Sequence, residues 1–183
     1  MQEAVPVGNG RMIAVLGSKI DELINFIKES KIKGVCEIAN DNAEGQTIIS
    51  GNLESVNLFQ DILKKNNIKF IPLNVSAPFH CSLMSTAAAR MKDKINSVNF
   101  RKPTFDIVCN VTSKPENNPE NIKKLLIQQI CSTVRWRESI ITMYKENVTN
   151  FIEIGPGKVL SGMIKRTVKN INCFIRISLK YLF

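Results

Sequence analysis

The alternation of apolar and polar positions divides the chain into two stretches of different rhythm. In the first, Met12, Ile13, Ala14, Val15 and Leu16 form a short apolar run of the kind a buried strand supplies. Ser18, Lys19, Ile20 and Asp21 resemble a capping box, and Ile20, Leu23, Ile24 and Ile27 recur at the spacing that gathers them on one helix face. Residues 35–39 read as a second strand. The cluster Asn40-Asp41-Asn42-Ala43-Glu44-Gly45 carries turn chemistry, and residues 46–50 return as a third strand, which predicts a hairpin. Asn52 is placed to cap a second helix with Val56, Phe59, Ile62 and Leu63 inward, ending at Asn66-Asn67, before residues 69–75 supply a last strand.

The order β-α-β-β-α-β is the split βαβ pattern of a ferredoxin-like subdomain. The remainder reads differently. A helix over 83–98 carries Ala87, Ala88, Met91 and Ile95 at helical spacing, and Phe105, Ile107, Cys109 and Val111 alternate as a strand. Residues 119–131 and 136–145 predict helices separated by a break near Ser132-Thr133. Residues 150–154 predict a strand running into the Gly155-Pro156-Gly157 turn, 159–168 a helix and 172–178 a final strand. This alternation of helix and strand predicts a parallel sheet. The fold class expected is α/β: a small α+β unit followed by a partial α/β layer.

Composition narrows the function. With 183 residues, 44% apolar and 22% charged, the chain has ordinary globular usage and enough length for a sizeable core. Its apolar runs fall far short of the roughly 20 residues a bilayer crossing needs. The first residues lack the features of a signal or transit peptide, so a cytoplasmic location is expected. Five cysteines (Cys36, Cys81, Cys109, Cys131, Cys173), odd in number and without a C-x-x-C pair, encode neither a disulfide framework nor a zinc ribbon. A single histidine, His80, excludes His-based metal sites, and no Asp/Glu cluster offers a substitute, so no metal is expected. The net charge of +9 favours acidic partners. Scattered basic residues and 7% aromatics argue against nucleic acid.

The candidate chemistry centres on the segment from Asn74 to Met84, which sets His80 between a strand and a helix. A loop there is where α/β folds hold working residues, so His80 reads either as a general base or as a structural residue capping the next helix. The G-x-S-x-G elbow of α/β acyl-transfer enzymes is absent from the sequence. Ser76, Ser82 and Cys81 lie too close to His80 in sequence for attack geometry and read as turn and cap residues. Gly155-Pro156-Gly157-Lys158 does not satisfy the phosphate-loop pattern and reads as a tight turn, Gly8-Asn9-Gly10 lacks a dinucleotide fingerprint, and Trp136 reads as a packing anchor.

Five stretches, in order, carry a resemblance to a known family. They are Met1-Gln2-Glu3-Ala4-Val5-Pro6-Val7-Gly8; Ala39-Asn40-Asp41-Asn42 leading to Gly45-Gln46-Thr47-Ile48-Ile49-Ser50-Gly51; Val75 to Met84; Gln129 to Trp136; and Glu153-Ile154-Gly155-Pro156-Gly157-Lys158-Val159-Leu160. Together they resemble the malonyl-CoA:acyl carrier protein transacylases of fatty acid biosynthesis. The resemblance implies ping-pong transfer of malonyl from malonyl-CoA, through a serine, to the phosphopantetheine thiol of acyl carrier protein, with no further cofactor. It implies that His80 is the base and that the main-chain carbonyl of Gln129 orients it. It also implies that Met1 lines the acyl pocket and that Asn42 and Gln46 border the cleft.

In the family, the serine elbow Gly-His-Ser-Leu-Gly, one oxyanion-hole donor and the arginine that pairs with the malonyl carboxylate all precede the Met-Gln-Glu-Ala segment. The resemblance therefore implies the C-terminal part of such an enzyme, with negligible transfer by this chain alone. The expected organisation is a linker from the large subdomain over 1–10, a ferredoxin-like small subdomain over 11–75, and the C-terminal part of an α/β-hydrolase-like acyltransferase large subdomain over 76–183. Residues 11–75 are expected to be the better ordered part. Glu44 and Thr133 stand where proline is usual in the family, and residues 176–183 have no confident match. The alternative is a non-catalytic carrier-binding or assembly module that completes a separately encoded N-terminal fragment. A small-molecule-binding ferredoxin-like regulator is a further possibility, resting on fold analogy alone.

Overall fold

The computed structural model describes residues 4–6 and 8–176. Strand β1 (Gly10–Leu16) runs between β3 (Gln46–Asn52) and β4 (Lys69–Pro72), and β2 (Cys36–Ala43) adds to the far side of β3. All three pairings are antiparallel, with Ile13 opposite Ile49 on one side and Pro72 on the other. Helices α1 (Ile20–Glu29) and α2 (Leu53–Lys65) cover one face, where Leu23, Val56, Phe59 and Leu63 pack on Ile13, Val15, Cys36 and Ile49. The other face presents Met12, Ala14, Ala39 and Ile48, against which Leu73 and Phe79 pack. With both faces covered, β1 reads as an unbroken apolar run rather than an alternating one. Each such fully buried aliphatic or aromatic side chain stabilises the fold by about 1.5–3 kcal/mol.

Three local features differ from expectation. Ser18 does not cap α1: the N-cap is Lys19, without a side-chain capping bond, and Asp21 and Glu22 in the first turn complement the helix dipole instead. Asn52 does occupy the N-cap position of α2 but makes no side-chain capping bond; its Oδ1 accepts the Val35 N–H at 2.7 Å, tying the start of α2 to the entry of β2. Finally, β2 continues through Asn40-Asp41-Asn42 to Ala43, with register shifts between Ile38 and Asn40 and between Asp41 and Ala43. The turn shrinks to Glu44-Gly45, with Gly45 at φ +68. A bulged edge strand accommodates this polar run because its outer side is free to bond elsewhere.

After β4 the chain crosses under the sheet, makes a single 3-10 turn (Ser82–Met84) and enters α3 (Ser85–Ser97). The strand expected over 105–111 is only β5 (Ile107–Cys109), paired antiparallel with β6 (Lys114–Glu116), which the apolar pattern did not mark. The chain reverses between them with Ser113 at φ +56, its N–H on the Cys109 carbonyl. Helix α4 (Pro119–Gln129) starts at Asn118, whose Oδ1 accepts from Glu120 N and Asn121 N at 2.9 and 3.2 Å. Helix α5 (Trp136–Lys145), β7 (Asn150–Ile154), α6 (Val159–Thr167) and β8 (Asn172–Arg176) follow. Among the described residues the expected parallel pairing is limited to β7 and β8 and an isolated bridge between Asn40 and Val134; β7 and β8 share a core of Ile140, Phe151, Ile164 and Val168 with Trp136 at its margin. At the Gly155-Pro156-Gly157 turn, the Glu153 carboxylate accepts the Leu160 and Ser161 N–H groups at 3.1 and 2.8 Å and so caps α6.

Candidate active site

His80 lies on a loop pinned from both ends. Upstream, Pro78 is fully buried against Gly10, where a Cβ would approach the proline ring to 2.4 Å, so only glycine leaves room for this crossing. Downstream, Cys81 is fully buried with its Sγ donating to the Pro78 carbonyl at 3.1 Å, and Met84 anchors the 3-10 turn in the core. Between these anchors His80 adopts φ +57, a left-handed conformation uncommon for a side-chain-bearing residue.

The ring Nδ1 lies 3.0 Å from the Gln129 carbonyl oxygen. A carbonyl can only accept, so the proton sits on Nδ1 and Nε2 keeps its lone pair. Gln129 is the last residue of α4, and its carbonyl, which also accepts the Ser132 N–H at 3.4 Å, keeps a lone pair for the ring. Its side-chain amide folds back to donate to the Ser132 carbonyl at 2.9 Å, which fixes the helix end. His80 lines an open cleft of about 470 Å³ together with Ile24, Ile27, Glu37, Cys131 and Thr133.

The two loops meet because both dock on the edge strand β2. Val134 N donates to the Ala39 carbonyl at 2.8 Å, Asp41 N to the Val134 carbonyl at 2.9 Å, and the Thr133 hydroxyl to the Ile38 carbonyl at 2.6 Å. Arg137 of α5 completes the seam with a forked contact to Asp41, Nε to Oδ1 at 2.9 Å and Nη2 to Oδ2 at 2.8 Å. Burial pushes the Asp41 carboxyl up against the pull of Arg137.

Thiols near His80 are poor nucleophiles. Burial, reinforced by the Glu37 charge, pushes Cys131 up, and burial does the same to Cys81 and takes Cys36 to about 12. All three stay protonated near neutral pH. The Ser82 hydroxyl donates to Glu37 rather than facing His80. Of the other expected site residues, Met1 lies outside the described residues. Asn42 and Gln46 sit at the far end of the β2–β3 hairpin, where Gln46 Oε1 accepts from Arg166 of α6, and neither lines the His80 cleft. Glu37 and the Asp41–Arg137 pair carry no signal in the sequence, and Thr133 is marked there only as a departure from the family's proline. Asp41 and Arg137 stand 96 positions apart, and no local pattern joins them. Among the described residues no group of three or more His, Cys, Asp or Glu is arranged to hold a metal ion, and no helix is long and apolar enough to cross a membrane.

Comparison with known proteins meets this geometry. The malonyl CoA-acyl carrier protein transacylase of Bacillus subtilis (strain 168) is 40% identical over 168 residues, 91% of this chain and 53% of that protein. That of Escherichia coli (strain K12) is 37% identical over 169 residues, 92% of this chain and 55% of its own length. The chain is a relative of the malonyl CoA-acyl carrier protein transacylases. It spans about half the length of the curated transacylases it matches. The crystal structure of the transacylase from Clostridium perfringens Atcc 13124 superposes with a TM-score of 0.93 at 37% identity, covering 100% of this chain and 58% of that one. A malonyl-transacylase solved in complex with its type II PKS acyl-carrier protein superposes at 0.90 with 35% identity, covering 95% of this chain and 57% of that one. No family model matches the sequence. This chain thus shares the α/β fold of the part of these transacylases that it matches.

Proposed function

We propose that this chain provides the base half of a malonyl-CoA:acyl carrier protein transacylase active site, with His80 as general base and the Gln129 carbonyl as its orienting group. The observation that carries the proposal is the 3.0 Å contact from His80 Nδ1 to Gln129 O, which leaves Nε2 as the proton acceptor beside an open cleft. In this reading Nε2 takes the proton from a serine hydroxyl as the oxygen attacks the thioester carbonyl of malonyl-CoA. The imidazolium then returns the proton to the departing CoA thiolate, leaving a malonyl ester on the serine. The same nitrogen next deprotonates the phosphopantetheine thiol of acyl carrier protein; the sulfur attacks the malonyl ester, and the imidazolium returns the proton to the departing serine oxygen.

A neutral carbonyl orients the ring as a buried carboxylate does in hydrolase triads, but stabilises the imidazolium less. The serine is assigned to a part of the enzyme not represented in these 183 residues, since the family's elbow Gly-His-Ser-Leu-Gly has no counterpart among them, Ser82 is committed to Glu37 and the nearby thiols are held protonated. An N-terminal piece bearing it is the partner this reading requires. The net charge of +9 supports association with CoA phosphates and an acidic carrier protein. The sheet order β2-β3-β1-β4 with both helices on one face supports 11–75 as a ferredoxin-like small subdomain, after a linker over 1–10 and before the acyltransferase large-subdomain part over 76–183. Asn42 and Gln46 enter the proposal as residues of the substrate border, to be tested through KM, and a cytoplasmic location belongs to the same reading. A module that only binds carrier protein has no use for an imidazole seated on a helix-end carbonyl.

Two measurements test it. Intact mass after incubation with malonyl-CoA is expected to be unchanged for the chain alone; a malonyl adduct would show that a nucleophile lies within it. Co-expression with the N-terminal half of a related transacylase is expected to give malonyl transfer to carrier protein that His80→Ala abolishes. Transfer that survives His80→Ala would overturn the assignment of the base.

A further inference from the structure

We propose that Glu37 is a positioning residue for His80, acting through Ser82. Its Oε2 accepts the Ser82 backbone N–H at 2.9 Å and its Oε1 accepts the Ser82 hydroxyl at 2.5 Å, a two-pronged grip on the first residue of the 3-10 turn. That N–H opens a helical turn and has no partner within it, so a carboxylate there satisfies a donor that would otherwise face only water. The grip matters because of what lies two residues upstream. His80 holds φ +57, and a left-handed residue persists only where its flanks leave no alternative. The upstream flank is fixed by buried Pro78 and by Phe79 on the sheet face. The downstream flank runs through buried Cys81 to Ser82, and Glu37 is what holds Ser82 to the sheet.

Strand geometry makes Glu37 the residue able to do this. Cys36 and Ile38 pack toward the α1–α2 side, so Glu37 projects to the opposite face, the one Phe79 covers. The same strand carries the Ile38, Ala39 and Asp41 backbone groups that dock the loop after Gln129. One edge strand thus references both members of the His80–Gln129 contact, the histidine through a side chain and the glutamine carbonyl through a ladder. Glu37 also lines the His80 cleft, so it stands beside the reacting groups without itself carrying the proton transfer.

The inference rests on His80 being the base, and the test separates the two ideas. Because the chain has one histidine and one tryptophan, its full-length 15N-labelled form shows a single imidazole and a single indole. Long-range 1H–15N correlation reports which ring nitrogen carries the proton, and the Trp136 indole, packed against the C-terminal cluster, reports the fold. The wild-type imidazole is expected to be in the Nδ1–H form. Glu37→Ala is expected to lose that dominance toward the Nε2–H form favoured in water, with the indole resonance unmoved, and Glu37→Gln to restore most of it. Ser82→Ala, at an exposed position, is expected to give a partial shift in the same direction. A wild-type Nδ1–H imidazole that Glu37→Ala leaves in place overturns the role of Glu37 alone, as does an imidazole change always accompanied by an equal change at Trp136. Should Glu37→Ala not fold, a Ser82→Ala spectrum identical to wild type overturns it as well. A wild-type ring in the Nε2–H form overturns the orientation by Gln129 itself, whatever the variants do.

Discussion

Replacing Arg137 with methionine strands a carboxylate in the seam that joins the four-stranded sheet to α5. The Asp41 side chain is 2% exposed and that of Arg137 22%, so the pair is mostly out of water. Breaking a buried pair by removing one partner costs about 3–5 kcal/mol. Partial exposure of the guanidinium and the surviving Asp41 N–H bond to Val134 argue for a cost just below that range, so Arg137→Met is expected to cost about 2–3 kcal/mol at pH 8. The cost should depend on pH with a definite sign. Burial already raises the Asp41 carboxyl in the folded chain, and loss of Arg137 removes the main opposing influence. A carboxyl raised on folding stabilises the folded state below its unfolded value and loses that contribution as pH rises through its folded value. The variant should therefore approach wild-type stability near pH 4 and fall away as pH rises, each unit of added elevation being worth about 1.4 kcal/mol. Urea unfolding of both proteins at pH 4.5 and 8 measures this; with a slope of about 1–3 kcal/mol/M, the midpoint at pH 8 should drop by about 1 M. A loss equal at both pH values, or below about 0.5 kcal/mol at pH 8, would refute the reasoning. Adding Asp41→Asn to Arg137→Met should recover part of the loss and abolish its pH dependence.

Other substitutions probe the site and its supports. Gly10→Ala places a methyl about 2.4 Å from the Pro78 ring, and is expected to cost about 1–3 kcal/mol and to move the His80 imidazole resonances more than the Trp136 indole. Asn118→Ala removes the acceptor for two N–H groups at the start of α4 and should lower stability by about 1 kcal/mol in urea unfolding, leaving the His80 tautomer unchanged. Glu138, held below its usual range chiefly by its hydrogen bond to Arg135, contributes stability present at neutral pH and lost as pH falls through its folded value. Glu138→Gln should accordingly flatten the acid limb of the stability profile slightly, an effect kept small by solvent at this half-exposed pair and read by thermal unfolding from pH 3 to 7.

The elements of residues 11–75 were legible in the sequence because their signals are local. A run such as Met12 to Leu16 can only be buried, and the helical spacing of Leu23 and Ile27, or of Phe59 and Leu63, puts each pair on one face whatever lies beneath. Caps and strand ends were less legible, because Asn52 had a better partner in Val35 than in its own helix and because β2 could stay extended through Asn40-Asp41-Asn42 once its edge was bonded from outside. In the C-terminal stretch, the short β5–β6 pair rests on a reversal at Ser113 that leaves little trace in the apolar pattern. His80 was legible as a candidate because it is the one histidine and stands between a strand and a helix.

Sequence alone determined most of the helical and extended segments, though not β6 or the far end of β2, which helix faces are apolar, and that any general base of the histidine type within these residues must be His80. Only the tertiary structure decided what that histidine touches. The Gln129 carbonyl is 49 positions away, Glu37 reaches Ser82 across 45, and Arg137 reaches Asp41 across 96. Contacts at such separations are set by where a bulged edge strand leaves its hydrogen-bonding groups free and by which loops the core brings to it, and neither is written in the spacing of residues along the chain.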